Sequence, residues 1–145
     1  MEYDQLMNVP GGLNTVETYS FLIQNIPTNF NQLLSTFNVS AAAIMNIRPG
    51  SIRLNDDFNQ FDFIKVEKIS LLASKPNFIN EVEIGYLEPV PLVSANSLQL
   101  FPTLVDGSDI FTGEKFNLKL KIKLRNFNPA NTNLRLRVAM NAVNK

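Results

Sequence analysis

From Phe116 to Asn141 apolar and polar residues alternate almost without interruption. A period of two is the mark of a strand with one face buried. Phe116, Leu118, Leu120, Ile122 and Leu124 share one parity, and Asn117, Lys119, Lys121, Lys123 and Arg125 share the other. After the turn-rich run Asn126-Phe127-Asn128-Pro129-Ala130-Asn131-Thr132-Asn133, the inward phase resumes with Leu134, Leu136, Val138 and Met140, leaving Arg135, Arg137 and Asn141 outward. Two half-buried strands separated by turn residues predict a β-hairpin. Its apolar face needs a second apolar layer to cover it.

The rest of the chain supplies that layer as further strands. Val16 to Ile23 reads as a strand that Pro27 terminates. One helix is predicted near the N-terminus: Asn29 stands at the cap with Gln32 three residues on, and Phe30, Leu33, Leu34, Phe37, Ala41, Ile44 and Met45 follow at helical spacing up to Pro49-Gly50. Strands are then expected at Ser51 to Leu54, Phe61 to Ala73, Ile79 to Leu87, Ser97 to Leu104, Lys115 to Arg125 and Asn133 to Val143. In the second of these the inward parity changes between Val66 and Ile69, which predicts a β-bulge near Glu67. About seven short strands with regular turn signals predict a mainly β fold, a two-sheet antiparallel β-sandwich of immunoglobulin-like type. Residues 1–14, with Pro10-Gly11-Gly12, are expected as a flexible N-terminal arm that either tethers the protein or tucks onto it. Residues 15–145 are expected as one domain.

The absence of both cysteine and histidine narrows the chemistry. Disulfides, thiolate nucleophiles, histidine-dependent triads and sites built on Cys or His ligands are excluded. The formal net charge is 0, from 13 basic and 13 acidic residues, so no whole-molecule field draws the chain to nucleic acid or an anionic membrane. No apolar run is long enough to span a bilayer, and the first residues lack the pattern of a signal peptide.

The strongest local charge feature is the outward row Lys119, Lys121, Lys123, Arg125, Arg135 and Arg137, a candidate patch for an anionic surface or a protein partner. Glu81 and Glu83 alternate outward on their own strand and are expected to pair with part of it. Nucleic acid is not expected, because nucleic-acid surfaces interleave aromatics with basic residues and the aromatics here carry the inward parity. Asn55, Asp57 and Asn59 have the spacing of calcium ligands, but Gln60 stands where such a loop needs glycine and Val66 where it needs glutamate; a turn capped by side-chain carboxylates fits better. Asp106-Gly107-Ser108-Asp109 reads as a turn as well. Asp62, Glu67, Glu81, Glu83 and Glu88 could supply a glycosidase pair, yet no spacing couples two of them. Asn38-Val39-Ser40 matches a glycosylation acceptor but falls inside the expected helix. No catalytic residue, metal site or cofactor is assigned.

The runs Phe61-Asp62-Phe63-Ile64-Lys65-Val66-Glu67-Lys68-Ile69-Ser70, Glu83-Ile84-Gly85-Tyr86-Leu87-Glu88-Pro89-Val90-Pro91 and Phe116-Asn117-Leu118-Lys119-Leu120-Lys121-Ile122 resemble small β-sandwich lipoproteins of Bacteroidetes-type bacteria. The resemblance is one of pattern and runs from the helix onward. It implies export to the cell envelope and attachment at the outer membrane through a lipidated cysteine, with residues 1–14 as spacer; this chain has no cysteine, so any such anchor lies outside it. The expected function is that of a non-catalytic structural or accessory module that binds another protein through a strand edge, the helix or the arm. A structural subunit of a phage or secretion assembly is the first alternative. A carbohydrate-binding module is the second, disfavoured because such sites display exposed aromatics and the chain has no Trp and only Tyr3, Tyr19 and Tyr86.

Overall fold

The computed structural model describes residues 1–145. Eight strands carry the fold: β1 (Glu2–Val9), β2 (Thr18–Pro27), β3 (Ile44–Asn55), β4 (Val66–Lys75), β5 (Ile79–Leu87), β6 (Ser97–Pro102), β7 (Lys115–Leu124) and β8 (Thr132–Asn144). Two short helices, α1 (Phe30–Phe37) and α2 (Ser108–Phe111), accompany them. The chain is thus mainly β, as the alternation predicts. The strands form one antiparallel sheet in the order β1-β8-β3-β6-β5-β4-β7-β2, nearly closed into a barrel. An immunoglobulin-like sandwich of two separate sheets is not confirmed, because β6 pairs with β3 on one side and with β5 on the other. The β5–β6 link is short, consisting of Gly85 opposite Pro102 and Tyr86 opposite Phe101.

The faces of β7 and β8 are as read from the sequence, but the hairpin is not. Phe116, Leu118, Leu120, Ile122 and Leu124 are buried on β7, and Leu134, Leu136, Val138 and Met140 on β8. β7 lies between β4 and β2, however, while β8 lies between β1 and β3. Alternation fixes which side chains face inward and says nothing about which strand sits alongside. The connection crosses between the two halves of the sheet and is held there by Lys65, whose carbonyl accepts from the amides of Arg125 at 2.6 Å and Asn126 at 3.1 Å.

The helix is shorter than its periodicity suggests. It ends at Phe37, where Asn38 turns left-handed (φ 50°) and returns its amide to the last turn. Asn29 makes no side-chain cap; the Thr28 hydroxyl instead accepts from the Phe30 amide at 3.4 Å. Asn38-Val39-Ser40 therefore follows the helix, and Ala41–Ala43 form a single 3-10 turn. Ile44 and Met45 already belong to β3, which absorbs Pro49 and Gly50 through a register slip between Pro49 and Ser51. The bulge expected near Glu67 is present, between Val66 and Lys68.

The segment expected as an arm contains the strand β1. β1 pairs with β8 from Glu2 opposite Ala139 to Val9 opposite Thr132, and Tyr3, Met7 and Val9 are buried. The Tyr3 ring packs edge-on against Phe116 (centroids 4.7 Å apart) and lies 5.9 Å from Phe111. Its hydroxyl donates to the Thr28 carbonyl at 2.8 Å. That bond joins the two ends of the sheet across the open seam between β1 and β2. Gly85 marks another close approach: a Cβ there would run into Ile52 of β3, so the two halves of the sheet meet where β5 has no side chain.

Candidate binding surfaces

The fold does not gather the six outward basic residues into one patch. Lys119, Lys121, Lys123 and Arg125 follow β7, while Arg135 and Arg137 lie on β8, across the seam. Most are also engaged. Lys119 reaches over β4 to Glu81 at 2.9 Å, and Lys123 pairs with Glu67 at 2.9 Å. The Lys123 ammonium holds the Glu67 carboxyl below its ordinary pKa. Arg135 bridges Asp57 at 2.6 Å and Asp4 at 2.9 Å, with Arg137 3.7 Å from Asp4; Asp57 and Asp4 together raise the Arg135 pKa. Arg125 has a structural task, donating to the carbonyls of Ile64 at 3.0 Å and Val90 at 2.9 Å. Lys121 alone of the six has neither an ion pair nor a hydrogen bond.

Carboxylates weighed as ligands or catalysts are likewise turned to loop building. Asp56 is buried and accepts from the amides of Phe58 at 3.1 Å, Gln60 at 2.5 Å and Phe61, forming the capped turn expected there. Asp62 accepts from the Ser94 hydroxyl at 2.5 Å and the amides of Ile64 and Ala95 at 3.0 Å, and these donors lower its pKa, Ser94 foremost. Asp106 is lowered chiefly by the Ser108 hydroxyl, and Asp109 by Lys75 at 2.8 Å and then Asn80. Glu83, the other glutamate expected to pair with the basic row, accepts instead from the Ser70 hydroxyl at 2.5 Å.

Two surfaces stand apart from this pattern of satisfied groups. The first is the free edge of β2. From Thr18 to Ile26 this edge strand has no charged residue. Its inward residues Tyr19, Phe21 and Ile23 are only half-buried, and outward Leu22 is exposed. Edge strands are ordinarily guarded by charge, Pro or a covering segment. Here Pro27 stands only at the end, next to a bulge at Asn25 (φ 58°) whose amide is bonded by the Asn117 side chain at 2.9 Å.

The second surface lies on the outer face. Register places Ser20, Lys121, Ser70, Tyr86 and Phe101 side by side on β2, β7, β4, β5 and β6. Tyr86 and Phe101 are both exposed, 41% and 58%, with ring centroids 5.9 Å apart. Beside them opens a groove of about 410 Å³ lined by Lys68, Ser70, Glu83, Tyr86, Glu88 and Lys121. None of its four charged groups makes an ion pair, whereas the lysines on either side of Lys121 do. Phe101 carries a readable signal in the sequence: Leu98 and Leu100 are inward, and alternation puts Phe101 on the side of Gln99. A larger groove, about 580 Å³, lies on β1, β8 and β3, where Arg137 faces Arg53; Glu2 and Asp4 line it too, so its charges balance.

Comparison with protein-family models, curated proteins and solved structures found no match.

Proposed function

We propose that this protein is a non-catalytic accessory module of a bacterial cell envelope that binds another protein through the free edge of β2. The uncharged run Thr18 to Ile26 on an edge strand carries the reading. Its unpaired backbone groups offer a template for a partner strand, with half-buried Phe21 and Ile23 giving apolar contact on one side and Leu22 on the other. Two of the candidate carboxylates, Asp62 and Glu67, are unsuited to act as a general acid. A general acid needs a raised pKa, and both Asp62 and Glu67 are held low by their neighbours. The envelope location rests on the pattern-level resemblance to outer-membrane lipoproteins.

The test is site-specific photocrosslinking in native envelope fractions, with the probe at Leu22 and, as control, at Leu6 on exposed β1. A discrete adduct of one partner from Leu22, absent from Leu6 and abolished by Ser20→Lys, supports the reading. Recovery of an uncrosslinked monomer from both positions counts against it.

A further inference from the structure

The groove beside Tyr86 combines features that the rest of this molecule keeps apart: exposed aromatic rings set side by side and charges of both signs left without an ion pair. Elsewhere the fold pairs such charges readily, as Lys119, Lys123 and Arg135 do. We infer that the outer-face groove lined by Ser70, Glu83, Glu88, Lys68 and Lys121, with the Tyr86 ring as its apolar wall and exposed Phe101 next to that ring, is a binding site for an uncharged saccharide. The proposal does not depend on the β2 edge being a protein-binding surface.

The ligand class follows from what the walls accept. An anion brought to Lys68 and Lys121 meets Glu83 and Glu88, and a cation brought to the glutamates meets the lysines. A wholly apolar ligand would cover the Tyr86 and Phe101 rings but strip water from four charged groups without replacing it. A sugar avoids both penalties. Each hydroxyl both donates and accepts, so neighbouring hydroxyls can give to Glu83 or Glu88 and take from Lys68 or Lys121 as charge-assisted hydrogen bonds. The C–H face of a sugar ring is apolar and suits the exposed face of an aromatic side chain. Ser70, already donating to Glu83, holds that carboxylate in place and leaves its own oxygen free to accept.

The site is also supported from below. Tyr86 sits opposite Ser70 on β4 and opposite Phe101 on β6, and its neighbours Gly85 and Leu87 are buried. The ring therefore projects from a strand fixed by the core. Such placement gives a preformed surface rather than one assembled by loops.

The experiment is titration of the purified protein with a panel of neutral oligosaccharides (cello-, xylo-, manno- and malto-hexaose). Binding is followed by backbone amide chemical shifts and by calorimetry, with phosphocholine and inorganic phosphate as charged probes. At least one oligosaccharide is expected to bind saturably, to shift amides of β4, β5 and β7 around Ser70, Tyr86 and Lys121, and to keep its affinity from low to high salt. Tyr86→Ala should weaken binding about tenfold, while Tyr86→Phe, which keeps the ring, should stay within about threefold of wild type. Because Tyr86 and Phe101 also brace the short β5–β6 link, Glu88→Gln and Lys121→Ala serve as variants away from it. Each should weaken binding with an unchanged thermal midpoint. Failure of the whole panel to bind overturns the proposal. So does binding only of a charged probe, or saccharide binding indifferent to Tyr86→Ala and Glu88→Gln.

Discussion

Replacing Tyr3 tests whether the first strand is part of the core or merely rests on it. In Tyr3→Phe the ring stays against Phe111 and Phe116, and only the hydroxyl that donates to the Thr28 carbonyl at 2.8 Å is lost. Thr28 is itself buried, so its carbonyl is left without that donor at a cost of about 1–3 kcal/mol. Tyr3→Ala removes the ring as well. The void left beside Phe111 and Phe116, against which the Tyr3 ring packs, raises the loss to roughly 3–5 kcal/mol or more. Leu6→Ala, on the exposed face of the same strand, should cost about 0.5 kcal/mol at most. Urea unfolding followed by far-ultraviolet circular dichroism gives all three values, and each kcal/mol should also move Tm by about 4 °C in a domain of this size. The reasoning is refuted if Tyr3→Ala and Leu6→Ala have the same unfolding free energy. Residues 1–9 would then behave as a detachable arm.

Other consequences follow from the loop carboxylates and the seam. Asp56→Ala should destabilise the protein by roughly 2–3 kcal/mol, because three backbone amides lose their acceptor; urea unfolding measures it. Asp62 has a depressed pKa in the folded state, so its contribution is present above the ordinary aspartate value of about 3.9 and is lost as pH falls through the folded value. Thermal melts of Asp62→Asn should accordingly show a shallower loss of stability on acidification than wild type. Burial raises the Tyr3 phenol pKa, and the sign is reversed there. The contribution is full below the free tyrosine value of about 10 and fades as pH rises beyond it, so ultraviolet titration should find one of the three tyrosines ionising late and together with unfolding.

Faces were far more legible than neighbours. The alternation in β7 and β8 identified nine buried side chains correctly from Phe116 to Met140, since parity is a local property of the chain. It could not reveal that β4 and β2, rather than β8, flank β7, because that choice is made by the whole sheet. The helix was overextended for a related reason. Ile44 and Met45 happen to continue the spacing of Phe30 to Phe37, and the left-handed turn at Asn38 that stops the helix leaves no strong trace in composition. β1 was missed because Gln5 interrupts its inward set and Pro10-Gly11-Gly12 dominates the local signal. The candidate groove was out of reach for a different reason. Lys121, Ser70, Tyr86 and Phe101 come from four strands and adjoin only through register, although the exposed parity of Tyr86 and Phe101 was readable one strand at a time.

The pairing of β1 with β8 also sets an order of events. Met1 and Met140 exchange bonds, amine to carbonyl at 3.1 Å and amide to carbonyl at 2.8 Å, so the first of the eight strands to be translated is zipped to the last of the eight. Until more than a hundred further residues have been translated (~5–20 per second), Tyr3, Met7 and Val9 have no permanent home. While this sheet is being made its first strand stays sticky, and it is that interval, more than the finished sheet, that a holding chaperone would have to cover.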